Sequence, residues 1–225
     1  MAEMTAAAVP TPAEEEASFY HEAALNATWT GSRLALGALS LGFGSFIFAF
    51  FYLRSLNSYH LWYPAQINGV AFHGPGRALG IAILACVVVS ALVQTLVLQQ
   101  IKNGRKKAWS AGALIALVLG LAAVGLQIYQ LANLSFWPGS SGFASVFVGF
   151  CPVFLTLVFL VMVWLETLLM RARHIPEISF VEQPPTYAEA FAVQRFQAGL
   201  SSFTVIWNYL AVVAVVAWIL FYLVH

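Results

Sequence analysis

Charged side chains are scarce in this sequence. Only 8% of its 225 residues are charged, and the nine acidic residues include no aspartate. A soluble domain has about 25% charged residues, so the composition excludes an ordinary soluble protein. The ten basic residues nearly balance the acids, for a net charge of +1. That balance leaves no positive patch for nucleic acid, and we expect no nucleic-acid partner.

The apolar parts of the chain also lack side chains that bind metals or catalyse reactions. All five histidines lie outside the long apolar runs, so no imidazole is placed to bind a haem iron or a buried copper. His60 and His73 could hold a surface metal, but no cysteine or carboxylate stands near them. No nucleophile occurs with a base and an orienting acid, and no glycine-rich phosphate loop is present. We expect no catalytic, metal or cofactor site in this chain.

Cysteine is limited to Cys86 and Cys151, both in apolar runs. Such cysteines are predicted to pack as small apolar side chains and not to pair as a disulfide. Residues 1–32 have no basic stretch followed by an apolar core, so no cleavable signal peptide is expected.

Hydrophobic residues, in contrast, make up 61% of the chain. Crossing the roughly 30 Å hydrocarbon core takes about 20 apolar residues in a helix. Five runs qualify, at 34–53, 78–101, 108–131, 146–170 and 202–224, and their length favours helices over barrel strands. We predict an all-α integral membrane protein, with an amino-terminal segment at 1–32 and a five-helix membrane domain at 33–225. The acidic stretch after Pro12 is either a short surface helix or a disordered tail.

The basic residues between the runs predict the orientation. One side of the membrane receives eight of them: Arg33, Lys102, Arg105, Lys106, Lys107, Arg171, Arg173 and Arg195. The other side receives only Arg54 and Arg77. By the positive-inside rule, the amino terminus is cytoplasmic and the carboxyl terminus, His225, is external. The external loop after the first span contains three aromatic residues suited to the membrane interface, namely Tyr59, Trp62 and Tyr63.

Glu166 is the only carboxylate in the fourth span. That span runs from outside to inside, so Glu166 lies only about 7 Å before Arg171 along the helix. There it can reach water, Arg171 or Arg173 by snorkelling. We interpret Glu166, Arg171 and Arg173 as an interfacial anchor; proton handling by Glu166 is the alternative.

Small residues recur every fourth position in the third span, at Ala108, Gly112, Ala116 and Gly120. Such a ridge lets another backbone approach closely, either within the bundle or from a partner subunit. A different reading starts from Pro152 and the buried amides Gln94 and Gln127, which would suit a small membrane carrier. Neither charged mid-membrane groups nor an inverted repeat supports a carrier.

Three stretches, in their order along the chain, resemble a known family. They are FIFAFFYLRS at 46–55, LQIYQL at 126–131 followed by SSGFASVF at 140–147, and WNYLAVVAVVAWILFYLV at 207–224. Together they resemble subunit III of haem-copper terminal oxidases, the cytochrome c oxidase subunit III family, in its short five-helix bacterial form. The resemblance covers about residues 33–224 and implies a subunit III-like bundle.

Departures from the family replace every ionisable signature inside the membrane. The neutral residues at these positions are Leu39, Gln130, Phe154, Leu157, Asn208 and Ala211. A role in proton supply is therefore not expected. The resemblance then implies only a structural role, as a scaffold within a larger complex.

By resemblance, the chain is an accessory, noncatalytic subunit of a respiratory terminal oxidase in the bacterial cytoplasmic membrane. The haem and copper would belong to the catalytic subunit I, against which this chain packs beside other respiratory subunits, and phospholipid would be bound in a cleft between helices. The candidates for lipid or subunit packing are Gly112, Ala116, Gly120, Arg54, Arg77, Trp207 and Tyr209. Alternatives are an accessory subunit of a nitric oxide reductase or of a quinol oxidase, or a small carrier.

Overall fold

A computed structural model describes residues 12–56, 62–67, 69–176, 180 and 187–224. These residues form five long helices: α1 Pro12–Leu56, α2 Arg77–Lys102, α3 Lys106–Ala132, α4 Gly142–His174 and α5 Tyr187–Tyr222. Two short antiparallel strands, β1 Gln66–Ile67 and β2 Val70–Ala71, pair in the connection between α1 and α2. Every helix contains a stretch long and apolar enough to cross a membrane. The prediction of a helical, multi-pass membrane protein with five spans is confirmed.

The first helix is longer than its predicted span. It has 45 residues and begins at Pro12, so the acidic stretch is helical and continuous with the membrane span. Proline suits the first helical position, because its missing amide hydrogen is not needed there. No proline interrupts the helix after Pro12. At 1.5 Å per residue α1 is about 68 Å long, more than twice the thickness of the hydrocarbon core.

The connections at the two ends of α3 are short and turn on glycines. Gly104, between α2 and α3, has a φ of 74°, and Gly139, between α3 and α4, has a φ of 91°. Both values lie in the region that glycine adopts without steric cost. After the second turn, Ser141 caps α4 by accepting a hydrogen bond from the amide of Ala144 at 3.1 Å. The helix then continues through Pro152 to His174.

The helices pack in a chain of neighbours, with α2 against α3, α3 against α4, and α5 against α1, α2 and α4. The first helix rests on α4 and α5 and is the most peripheral. In the most apolar part of α1 only 11% of residues are buried, compared with 28–44% in the other four helices. Residues of α1, α2 and α5 line an open gap between α1 and α2, which we call the groove between α1 and α2.

Aromatic side chains pack together at one end of the bundle, in a group that we call the aromatic cluster. The ring of Phe50 in α1 meets Trp62 at a centroid distance of 4.9 Å and Phe221 of α5 at 5.9 Å. Phe147 of α4 meets Phe221 at 5.1 Å, and Phe143 meets Trp62 at 6.0 Å. Edge-to-face geometry of this kind adds about 0.5–1.5 kcal/mol per pair beyond area burial. The end of α1 is therefore fixed to α4 and α5 where the sequence predicts the external side.

Candidate functional site

The small residues of α3 face other helices of the same chain. A Cβ atom on Gly112 would lie 2.2 Å from Cγ1 of Val97 in α2, and one on Gly120 would lie 2.0 Å from Sδ of Met162 in α4. Ala116 between them is fully buried. Ala108, the first member of the predicted ridge, is exposed. The other three positions of the ridge therefore pack against helices of the same chain. Of the two alternatives that the sequence leaves open, this is packing within the bundle.

Hydrogen bonds made by polar side chains connect α2, α3 and α5. The Ser90 hydroxyl donates to the Ala116 carbonyl at 2.6 Å, and Trp207 Nε1 donates to Ser90 Oγ at 3.2 Å. Farther along, the Asn208 amide donates to Thr95 Oγ1 at 3.0 Å. Trp207 is a candidate from the sequence and is fully buried. Sequence reasoning missed Ser90 and Thr95, because a serine or threonine in an apolar run gives no sign of its partner.

A second polar group lies near the opposite end of α3, where Gln130 Nε2 donates to the Tyr222 hydroxyl at 2.6 Å. Gln127 and Cys151 line the same small cavity, of about 50 Å³, formed by α2, α3, α4 and α5. A water molecule needs about 10–15 Å³ of such space and two to four polar partners. The cavity therefore has room and hydrogen-bonding groups for a water molecule.

Gln94 differs from these paired groups. It is fully buried in α2, and within the described residues neither its Oε1 nor its Nε2 has a hydrogen-bond partner. An unpaired buried amide costs about 1–3 kcal/mol. The prediction from sequence that Gln94 and Gln127 are buried amides is confirmed. The sequence does not indicate that the Gln94 amide lacks a hydrogen-bond partner.

The predicted interfacial anchor lies on the surface of α4. Glu166, Arg171 and Arg173 are all exposed. Seven residues separate Glu166 from Arg173, about 20° short of two full turns, so these two residues share a face of the helix. Arg171 lies about 140° around the helix from Glu166. The anchoring role of Glu166 stays a prediction.

The remaining packing candidates lie along α5 or near the end of the bundle that holds the aromatic cluster. Arg54 is half-buried in the last turn of α1, and Arg77 is exposed at the start of α2. Tyr209 is half-buried, and its ring centroid lies 6.3 Å from that of Phe43. Their contact with a partner subunit or with lipid stays a prediction.

Several residues singled out from sequence lie outside the described ranges, namely Tyr59, His60 and His225. His73 is exposed, with Nδ1 3.0 Å from the Ala71 carbonyl oxygen. Among the described residues no group of three or more histidine, cysteine, aspartate or glutamate side chains could hold a metal ion. Cys86 and Cys151 are free thiols, as the sequence predicts.

The groove between α1 and α2 opens into a cavity at the Lys102 end of the bundle. Its volume is about 290 Å³, and its lining includes Trp29 from α1, Leu98 and Lys102 from α2, and Gln194 and Ser201 from α5. A cation, amides and an indole beside apolar residues match the chemistry of a membrane interface, where tryptophan and lysine are enriched.

Taken together, the fold and its polar groups define a multi-pass helical membrane protein. Among the described residues, the buried polar side chains are all neutral, and several of them hydrogen-bond to a neighbouring helix. Comparison of the chain with models of known protein families and with curated proteins finds no match.

Proposed function

We propose that this chain is an accessory, noncatalytic subunit of a haem-copper terminal oxidase in the bacterial cytoplasmic membrane. In this role the amino terminus is inside, the carboxyl terminus is outside and the helices form a subunit III-like bundle. The observation that carries the proposal is the character of the interior. Among the described residues, its hydrogen-bonded groups, including Ser90, Gln130, Trp207 and Tyr222, are neutral at physiological pH and join helices to one another.

Such an interior suits a scaffold and not a proton path, which needs ionisable groups inside the membrane. The order of the three family-like stretches gives the scaffold its context. The catalytic subunit I would carry the haems and copper, and this chain would stabilise it beside other respiratory subunits. An accessory nitric oxide reductase or quinol oxidase subunit would need the same scaffold.

The exposed face of α1 is the surface that we assign to subunit I. Leu34 and Leu41 are 70% and 77% exposed, and Phe48 is 69% exposed. Gly37 and Gly44 have no atom of another residue within 4 Å of a built Cβ. Small residues beside large apolar ones let a partner helix approach closely. A large neighbouring subunit would therefore find both close backbone contact and apolar area along one helix.

The groove between α1 and α2 is where we place a bound phospholipid. The cavity at its Lys102 end can take a headgroup, and the apolar surface above it, including Leu98 and the apolar side chains of α5 in its lining, can take acyl chains. A lipid there would fill a gap between two helices that pack little against each other, and so would stabilise the position of α1.

The decisive experiment is purification through an affinity tag on this chain in mild detergent. We expect a haem-containing subunit to co-purify, with a reduced-minus-oxidised haem spectrum, copper by metal analysis and oxygen consumption. A chain that purifies without haem or copper would refute the proposal. Consumption of nitric oxide and not oxygen would select the reductase alternative, and activity with a quinol and not cytochrome c would select the quinol oxidase.

A small carrier is the remaining alternative, favoured by the cavity at Gln127 and Gln130 and by the unpaired amide of Gln94. Its test is solute uptake by liposomes that contain this chain alone. Uptake above that of empty liposomes would support the carrier and count against the accessory subunit.

A further inference from the structure

A cavity of about 490 Å³ lies where α4 ends and α5 begins. It is lined by Arg171, His174, Ile175, Phe191, Ala192, Arg195 and Phe196, which we call the basic pocket. Its volume falls within the 300–1,000 Å³ typical of ligand sites. Three of its seven lining side chains carry or can carry positive charge, and none is a carboxylate. It is separate from the groove between α1 and α2, which is lined by different residues.

The cationic side of the basic pocket comes from two helices. Arg171 and His174 are three residues apart in α4 and share a face, and Arg195 faces them from α5. The Nδ1 atom of His174 is 3.0 Å from the Met170 carbonyl oxygen, which as an acceptor keeps a proton on that nitrogen. Its Nε2 is then the ring nitrogen left for a ligand. Two guanidinium groups around one cavity repel each other, and a bound anion removes that repulsion.

The other side of the basic pocket is apolar and firmly held. Phe196 is buried, and its ring packs at a centroid distance of 5.4 Å on Trp109 of α3 and 5.8 Å on Phe180. Phe191 stacks on His21 of α1 at 3.8 Å. Because both rings are held by residues outside the pocket, the apolar wall exists without a ligand. A free anion would not use this wall, whereas an amphipathic molecule would.

The surface beyond the basic pocket continues this apolar character into the membrane. On α4, Met170 is 48% exposed and Val163 is 39% exposed, each closer to the membrane centre than Arg171. The pocket is at the end of the bundle that holds eight of the ten basic residues, which the positive-inside rule assigns to the cytoplasm. Basic pockets at this level between transmembrane helices bind anionic lipid headgroups.

We propose that the basic pocket binds the headgroup of an anionic phospholipid, with its phosphate between Arg171 and Arg195. The glycerol region contacts Phe191 and Phe196, and the acyl chains follow the exposed surface of α4 past Met170. This site does not depend on the oxidase role, because a membrane protein of any function can hold a lipid here.

The test uses the purified full chain in a zwitterionic detergent, with native mass spectrometry to count bound lipids. Phosphatidylglycerol and phosphatidylcholine with identical acyl chains are titrated separately. We expect phosphatidylglycerol to bind about tenfold more tightly, because its headgroup carries a net negative charge that Arg171 and Arg195 attract, whereas phosphatidylcholine is zwitterionic. The variant R171Q/R195Q should lose this preference, and R171K/R195K should keep most of it because lysine also binds phosphate.

The matched control is Arg173→Gln, which removes an exposed arginine from the same helix turn but outside the basic pocket. It should change the preference by less than about twofold, because Arg173 lies about 200° around the helix from Arg171 and does not line the basic pocket. Equal binding of the two lipids to the native chain would overturn the proposal. The proposal also fails if the preference for phosphatidylglycerol survives in R171Q/R195Q while R171K/R195K remains folded. It fails likewise if R173Q loses this preference to the same extent as R171Q/R195Q.

Two further arms separate other occupants of the basic pocket. Inorganic phosphate that displaces phosphatidylglycerol at equal concentration would show a plain anion site and overturn the lipid assignment. Glu177 and Glu182 lie in the connection between α4 and α5, outside the described residues. If the variant E177Q/E182Q binds phosphatidylglycerol and the native chain does not, the arginines pair with these carboxylates and the proposal fails.

Discussion

Gln94 and Gln130 are both amides buried among apolar helices, yet they differ in their hydrogen bonds. Gln130 is bound to the Tyr222 hydroxyl from a residue 92 positions away in the chain. Gln94 has no partner among the described residues. Side-chain hydrogen bonds between membrane helices contribute about 0.6 kcal/mol on average, whereas an unpaired amide is a net cost. The two residues should therefore respond in opposite directions to the same substitution.

Gln94→Met should raise the free energy of unfolding by about 1 kcal/mol, because it removes an unpaired polar group and keeps the side-chain volume. Gln130→Met, the matched control, should lower it by a similar amount, because the Tyr222 hydroxyl loses its partner. Thermal unfolding in detergent, followed by tryptophan fluorescence, measures both. A loss of stability in both variants would mean that Gln94 has a partner outside the described residues.

Glu166→Gln should leave turnover of the purified complex nearly unchanged and lower the yield of assembled complex. The reason is position: Glu166 is exposed on α4, about two turns from Arg173 on the same face. An acid there interacts with the membrane interface, with basic side chains or with a neighbouring subunit. Turnover per haem and complex yield are measured together. A large fall in turnover at normal yield would show that Glu166 handles protons.

Among the elements, α3 depends most on small side chains. A Cβ atom on Gly112 meets a branch of Val97, which has little freedom to move, whereas one on Gly120 meets the flexible end of Met162. Gly112→Ala should therefore destabilise the bundle by about 1–3 kcal/mol, and Gly120→Ala by less. Gly125 in the same helix has no neighbour within 4 Å of a built Cβ and serves as the control.

Leucine substitutions strengthen the same comparison. Gly112→Leu and Gly120→Leu should both weaken packing, while Gly125→Leu should remain near the native melting temperature because that position is open. The melting temperature and the monodisperse fraction in size-exclusion chromatography are the measurements. Equal stability of all three leucine variants would show that α3 does not pack as closely as the distances indicate.

The sequence predicted the number and type of the spans well, because length and hydropathy decide whether a helix can cross a bilayer. It predicted the helix ends less well. Residues 12–33 belong to α1, and their helical structure is accompanied by contact with α5, where His21 stacks on Phe191. A contact between residues 170 positions apart leaves no mark in a local hydropathy pattern. For the same reason, the sequence could not decide whether the ridge on α3 faced α2 and α4 or a partner.

For the whole molecule, the orientation in the membrane is the simplest prediction to check. Asn103→Cys is in the turn between α2 and α3, and Ser140→Cys is in the turn between α3 and α4, at the opposite end of α3. In intact cells a membrane-impermeant maleimide should label Ser140→Cys and not Asn103→Cys, because the basic turn is cytoplasmic. A chain with Cys86 and Cys151 replaced by alanine gives the background. The reverse labelling pattern would invert the predicted topology.

The position of α1 also has a consequence for biogenesis. Of the five helices, α1 is synthesised first, and it packs on α4 and α5, the two that are synthesised last. Until α4 and α5 have been synthesised, the neighbours of α1 are lipid or the translocon, because α1 packs little against α2 and α3. Closure of the bundle therefore joins the earliest of the five helices to the two latest, and a chain that stops before α5 would leave α1 without one of the two helices that it packs against.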